Sequence, residues 1–162
     1  MRVFTSLPEP LRVKENTCET DMPDRPLTVQ TRQPLAGIRI LAADDEPFNQ
    51  IVLEDLLGDL GASLTCVSNG QQAVEAVERS GKEAWDIVLM DIRMPVMDGH
   101  AATRRLRELA PDLPIIALSA HDAERAQESC LASGMLEHIG KPFELEHLLA
   151  AIQRHCRRWS AT

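Results

Sequence analysis

The chain has 162 residues and a net charge of −8, and 44% of it is hydrophobic although it holds only three Phe, two Trp and no Tyr. Its core must therefore be aliphatic, and its acidity argues against nonspecific nucleic-acid binding, which needs Lys and Arg to displace counterions. Four scattered cysteines (Cys18, Cys66, Cys130, Cys156) form no CxxC pair, and no apolar run approaches a membrane span, so a reduced, soluble, cytoplasmic chain is expected.

Residues 1–34 carry five basic and five acidic side chains, so the acidic excess lies wholly in 35–162. An acidic domain suits cation binding, although solubility alone explains most acidic surfaces. The first stretch also holds Pro8, Pro10, Pro23, Pro26 and Pro34 with no sustained periodicity. It reads as a flexible arm or linker, with the folded domain at 35–162. Met1-Arg2-Val3-Phe4 leads into Pro, Glu and Lys rather than a signal-peptide core.

From Gly37 onward, strand and helix patterns alternate. A strand at 38–43 ends in Asp44-Asp45-Glu46. Phe48, Ile51, Val52, Leu56 and Leu60 then mark the buried side of a helix that Gly61 stops. Ser63–Val67 is a short strand; Asn69 caps the next helix, which buries Ala73, Val74 and Val77 and ends at Gly81. A third strand at 86–90 runs into Asp91 and a Met-Pro-Val-Met-Asp-Gly loop, in which Asp98-Gly99 reads as a turn and the methionines as core filler. The helix at 100–109 shows solvated Arg104, Arg105 and Arg107. Pro111 and Pro114 bracket the turn into a strand at 115–118. Asp122 caps a helix running to Ser133, Gly134 closes it, and a strand at 136–140 leads through Lys141-Pro142 into a last helix at 144–158.

Five β/α units with continuous apolar strands predict a parallel sheet covered on both faces, and right-handed crossovers make it doubly wound. Such sheets collect ligands outside the carboxyl ends of their strands. Those ends carry Asp44 and Asp45, Asp91, Ser119 and Lys141. Singly, each has a dull reading as a helix cap, a turn residue or a solvated charge. Together they form an acidic cluster with a cation and a hydroxyl, suited to a hard divalent ion and to one carboxylate acting as nucleophile.

Over residues 37–158 the chain resembles a response-regulator receiver domain, the phosphoacceptor module of two-component signalling. The resemblance rests on Asp44-Asp45-Glu46, Met90-Asp91, Met94-Pro95-x-Met97-Asp98-Gly99, Leu118-Ser119-Ala120 and Lys141-Pro142-Phe143. It implies a flavodoxin-like α/β fold, five parallel strands in the order 2-1-3-4-5. Mg²⁺ fits three crowded carboxylates, since it takes oxygen ligands, keeps waters and bridges to phosphate. By resemblance, Asp45 and Asp91 ligate it directly, Asp44 directly or through water, and the Arg93 carbonyl completes the set. Asp91 then attacks a phosphohistidine on a sensor histidine kinase or histidine phosphotransfer protein. Lys141 offsets the charge, Ser119 bonds the phosphoryl group and acts as the switch, and Ala120 leaves room for it. The bond before Pro142 is expected to be cis, and Arg93 and His121 to tune phosphoryl lifetime.

One position departs from the family. Three residues before Lys141, where many receivers hold a Tyr or Phe switch, stands His138. It reads first as a plain surface histidine, with an inward-turning, pH-sensitive switch as the other reading.

The chain is thus read as a signalling receiver rather than an enzyme, with self-catalysed acceptance and slow loss of the phosphoryl group. Its fourth helix, fifth strand and fifth helix would form the output face, for homodimerisation or kinase docking. Nothing resembling a DNA-binding or enzymatic output follows Trp159, and no kinase motif is present. Asn49-Gln50-Ile51-Val52 and Asn69-Gly70 resemble receivers attached to hybrid sensor kinases, with a stand-alone regulator as the competing setting. From other classes, a metal-dependent phosphohydrolase would need a second acid/base carboxylate and a substrate cap, and a flavin or nucleotide binder would need a Gly-rich phosphate loop.

Overall fold

The computed structural model describes residues 33–120 and 123–159. The elements follow the expected alternation: β1 Arg39–Ala43, α1 Pro47–Asp59, β2 Ser63–Val67, α2 Gly70–Ser80, β3 Ile87–Asp91, α3 Gly99–Leu109, β4 Ile115–Ser119, α4 Ala123–Ser133, β5 Glu137–Gly140 and α5 Leu145–His155. All neighbouring strands are parallel, in the order β2-β1-β3-β4-β5. The chain therefore leaves β1 for one side of the sheet and returns on the other as β3. Those two strand ends flank the crevice where a doubly wound sheet binds its ligands.

Side-chain alternation divides the sheet between two cores. Ile40, Ala42, Ile87, Leu89, Ile116, Leu118 and Ile139 face Leu53 and Leu57 of α1 and Leu148, Ala151 and Ile152 of α5. Leu41, Ala43, Val88, Met90, Ile115 and Ala117 face α2, α3 and Cys130 of α4. Both faces of the three central strands are dry, which explains their unbroken apolar runs. Leu35 is fully buried and its N–H donates to the Leu60 carbonyl at 2.9 Å.

Helix α1 corrects the sequence reading. Phe48 and Ile51 are 68% and 55% exposed, whereas Leu53 and Leu57 are fully buried. Apolar residues at 48, 51, 52, 53, 56, 57 and 60 wrap most of the helix, so periodicity cannot select a face. Packing against β1 and β3 selects the stripe at 53 and 57 and leaves Phe48 and Ile51 outward.

The expected caps hold where they are described. Asn69 accepts the Gln72 N–H at 2.9 Å, and Asp98, read as a turn residue, caps α3 by accepting the Ala101 N–H at 2.8 Å. Met90 is fully buried, while Met94 and Met97 pack against the second core. Arg107 is not solvated. Its guanidinium donates to the Gly134 carbonyl and to those of Pro111 at 3.0 Å and Leu113 at 2.7 Å, tying the α3–β4 turn to the end of α4. Helix α5 stops at His155, because Cys156 turns extended and tucks inward at 8% exposure. Asp122 and His121 lie outside the described residues.

Candidate functional site

Asp44, Asp45 and Asp91 each offer a carboxylate oxygen within 4.8 Å of the others. Asp44 is fully buried and Asp91 is 6% exposed, while Asp45 opens to solvent. The cluster forms because β1 and β3 are adjacent and end level with each other, Ala43 pairing with Met90. Asp45 also lines a cleft of about 600 Å³ with Arg93, Met94, Pro95 and His100.

Lys141, just past β5, reaches across the sheet edge into this cluster. Its ammonium donates to Asp44 Oδ2 at 2.6 Å and Asp91 Oδ2 at 3.0 Å, with the side chain 15% exposed. Burial pushes the Asp91 carboxyl above the usual carboxylate range; Lys141 opposes this and Asp44 adds to it. For Lys141, burial alone would lower the ammonium, but its bonds to the two carboxylates prevail and hold it above the usual lysine range. One ammonium bonds two of the three acids and leaves the exposed Asp45 to solvent, so the cluster is short of positive charge.

Several main-chain contacts aim these groups. The Arg93 N–H donates to Asp91 Oδ1 at 3.2 Å, which turns the chain after β3 and leaves the Arg93 side chain exposed. Ser119 ends β4 beside Gly140, half-exposed, and its carbonyl accepts the Lys141 N–H at 2.8 Å. Ala120 follows it, exposed. The Lys141–Pro142 bond is cis.

His138 is not a plain surface side chain. It is half-buried, its Nε2 is enclosed and finds no hydrogen-bond partner among the described residues, and burial lowers its pKa. It pairs in register with Ala117, two residues before Ser119 on the same strand.

Two roles were not legible at sequence level. A Cβ on Gly99 would lie 2.2 Å from the Asp91 carbonyl oxygen, so only glycine lets α3 start against the Asp91 backbone. Asn49 and Gln50, in the first turn of α1, both grip Asp44. Asn49 Nδ2 lies 3.3 Å from each carboxylate oxygen, and Gln50 Nε2 donates to the Asp44 carbonyl at 2.6 Å. An Asn-Gln pair just after a strand-end acid was the available signal, but its side-chain reach was not.

The donor set fits a hydrated hard cation. Asp44 Oδ1 accepts from the Glu46 N–H at 2.9 Å and Oδ2 accepts from Lys141, with Asn49 straddling both, so Asp45 and Asp91 have the more open oxygens.

A parallel five-stranded sheet with this acidic cluster and a lysine at its carboxyl edge defines a phosphoacceptor class of fold. Residues 40–153 match the family model described as the response regulator receiver domain. The chain belongs to that family. It is 40% identical over 119 residues to the sensor protein GacS of Pseudomonas syringae, covering 70% of this chain, and 36% identical to the sensor histidine kinase RcsC of Escherichia coli, covering 74%. The matched segment spans only 13% and 12% of those two relatives. Among solved structures, the receiver domain of the sensor histidine kinase PA1611 of Pseudomonas aeruginosa superposes with a TM-score of 0.67 at 43% identity, covering 74% of this chain and 98% of that one. That crystal structure has a magnesium ion coordinated in its active-site cleft. The receiver domain of yeast Ssk1, solved with the histidine phosphotransfer protein Ypd1, matches at a TM-score of 0.69 and 25% identity over 78% of this chain and 94% of that one. These matches do not favour the phosphohydrolase reading. Among the described residues, no helix is long and apolar enough to cross a membrane.

Proposed function

We propose that this chain is a phosphorylation-controlled switch in which Asp91 accepts a phosphoryl group from a phosphohistidine of a sensor histidine kinase or histidine phosphotransfer protein. The observation that carries this reading is the meeting of Asp44, Asp45 and Asp91 within 4.8 Å around the Lys141 ammonium. An Asp91 oxygen attacks phosphorus; the P–O bond forms as the P–N bond breaks, and the electron pair returns to the partner's imidazole. Lys141 balances charge on the transferred group, and preorganised positioning supplies most of the rate. When bound, Mg²⁺ would supply the positive charge that the cluster lacks. Asp45, Asp91 and the Arg93 carbonyl would hold it directly, and Asp44 directly or through water.

Ser119 then bonds a phosphoryl oxygen and draws on the chain after β4, changing the face formed by α4, β5 and α5. That face serves homodimerisation or kinase docking, with His138 beneath it and His121 and Arg93 setting phosphoryl lifetime. The group is lost slowly, without turnover of a substrate. Residues 35–162 act as the receiver and 1–34 as an arm or linker, in the cytoplasm, within a hybrid kinase. Phe48 and Ile51, exposed on α1 directly after the acids, give the phosphodonor an apolar platform.

Incubation with acetyl phosphate and Mg²⁺ tests the chemistry by intact mass. Wild type gains one phosphoryl group, while Asp91→Asn or EDTA prevents it; an undiminished gain in Asp91→Asn would refute the assignment. Replacing Phe48 and Ile51 together by Ser should slow transfer from a phosphohistidine donor and leave acetyl phosphate uptake unchanged.

A further inference from the structure

The acids cannot be understood without the neutral group that touches them. Asp44 is fully buried between a main-chain N–H, the Lys141 ammonium and the Asn49 amide. Asn49 Nδ2 is equidistant from Oδ1 and Oδ2, at 3.3 Å each, so it fixes the plane of the carboxylate rather than feeding one lone pair. Gln50 holds the carbonyl of the same residue and reaches toward Ser68 Oγ at 3.3 Å, which anchors that turn of α1 to the chain beyond β2. Asp44 and Asp91 compete for Lys141, and at 2.6 Å against 3.0 Å Asp44 has the stronger hold.

We propose that Asn49 is a positioning residue for phosphoryl acceptance: by sharing a neutral amide N–H between both Asp44 oxygens, it keeps Lys141 shared with Asp91 instead of captured by Asp44. A buried carboxylate that loses donors must draw harder on the charge that remains. Without the Asn49 amide, Lys141 moves toward Asp44 and away from the place where the phosphoryl group arrives. The ion, held through Asp45 and Asp91, is affected less. This inference rests on Asp91 being the phosphoacceptor.

The test is Asn49→Leu in the full chain, which keeps the approximate shape and removes the donors. Hydrogen bonds to charged groups set the scale, and the maximal rate with acetyl phosphate at saturating Mg²⁺ should fall about tenfold. Calorimetric Mg²⁺ affinity of the metal-free protein should stay within about threefold of wild type, since the proposal leaves the direct ligands in place. A merely structural role would move both together. Asn49→Ala, uncharged and donor-free, reads the same split should the leucine variant not fold. In metal-free protein, Asp44→Asn should displace the Asn49 side-chain amide signals in the NMR spectrum. Unmoved signals, a wild-type maximal rate, or a loss fully recovered by added Mg²⁺ would each overturn the proposal. If instead wild type takes up no phosphoryl group, or Asp91→Asn still does, the failure belongs to the phosphoacceptor reading and not to Asn49.

Discussion

Two buried ion pairs at opposite ends of the sheet are built to opposite plans. At the amino end, Asp86 is 2% exposed and is held by Arg39, through its main-chain N–H at 2.8 Å and guanidinium bonds at 3.1 and 3.0 Å, with Arg158 at 4.0 Å. Burial alone would raise the Asp86 carboxyl, but the Arg39 bonds hold it below the usual carboxylate range. At the carboxyl end, two of three clustered carboxylates share one lysine, and Asp91 stands above that range. The first pair is satisfied and closes a strand end. The second is left short of positive charge, and that shortage is what a cation can meet.

The contrast can be broken most severely at Gly99. Gly99→Ala drives a methyl against the Asp91 carbonyl, and should cost about 3 kcal/mol in denaturant unfolding through overpacking. With Asp91 as the proposed phosphoacceptor, its displacement should also cost about a hundredfold in phosphorylation rate.

Asp86→Asn should separate stability from function. It should cost about 2 kcal/mol at neutral pH, on the scale of a hydrogen bond to a charged group, with an unchanged phosphorylation rate. Because the folded pKa of Asp86 is depressed, its contribution is present above the ordinary carboxylate pKa and is lost as pH falls through the folded value. Wild type and variant should therefore converge in stability in acid. Unfolding curves that stay parallel below the carboxylate range would contradict this.

The smallest effect on the metal-free fold is expected at exposed Asp45. Asp45→Asn should change its stability by no more than about 0.5 kcal/mol. The same variant should abolish the rise in melting temperature that added Mg²⁺ gives to wild type.

The fold and the principal site residues were legible because both depend on backbone periodicity. A parallel strand places its last residue at the sheet edge whatever its neighbours do, so Asp44, Asp91, Ser119 and Lys141 could be assembled from strand ends alone. The face of α1 was not legible, since apolar residues nearly encircle it and only the sheet chooses among them. Arg107 read as solvated because the carbonyls it binds, from residues 111, 113 and 134, are brought to it by tertiary packing. His138 looked like a surface residue because an edge strand is expected to be open, yet its Nε2 is enclosed. Asn49 and Gly99 escaped notice for a related reason: their roles lie in a reach of a few ångströms that spacing does not encode.

The loop after β3 is secured by main-chain bonds, from the Gly70 N–H to the Met97 carbonyl at 3.0 Å and from the Gly99 N–H to the Ile92 carbonyl at 2.9 Å. Between those anchors Val96 projects at 84% exposure, with a positive φ of 68° that favours glycine or asparagine. Met94 and Met97 on either side of it pack against the second core, so the residue at the tip can change without disturbing the loop's anchors. Insulation of the tip from the acidic cluster is thus built into a few peptide groups.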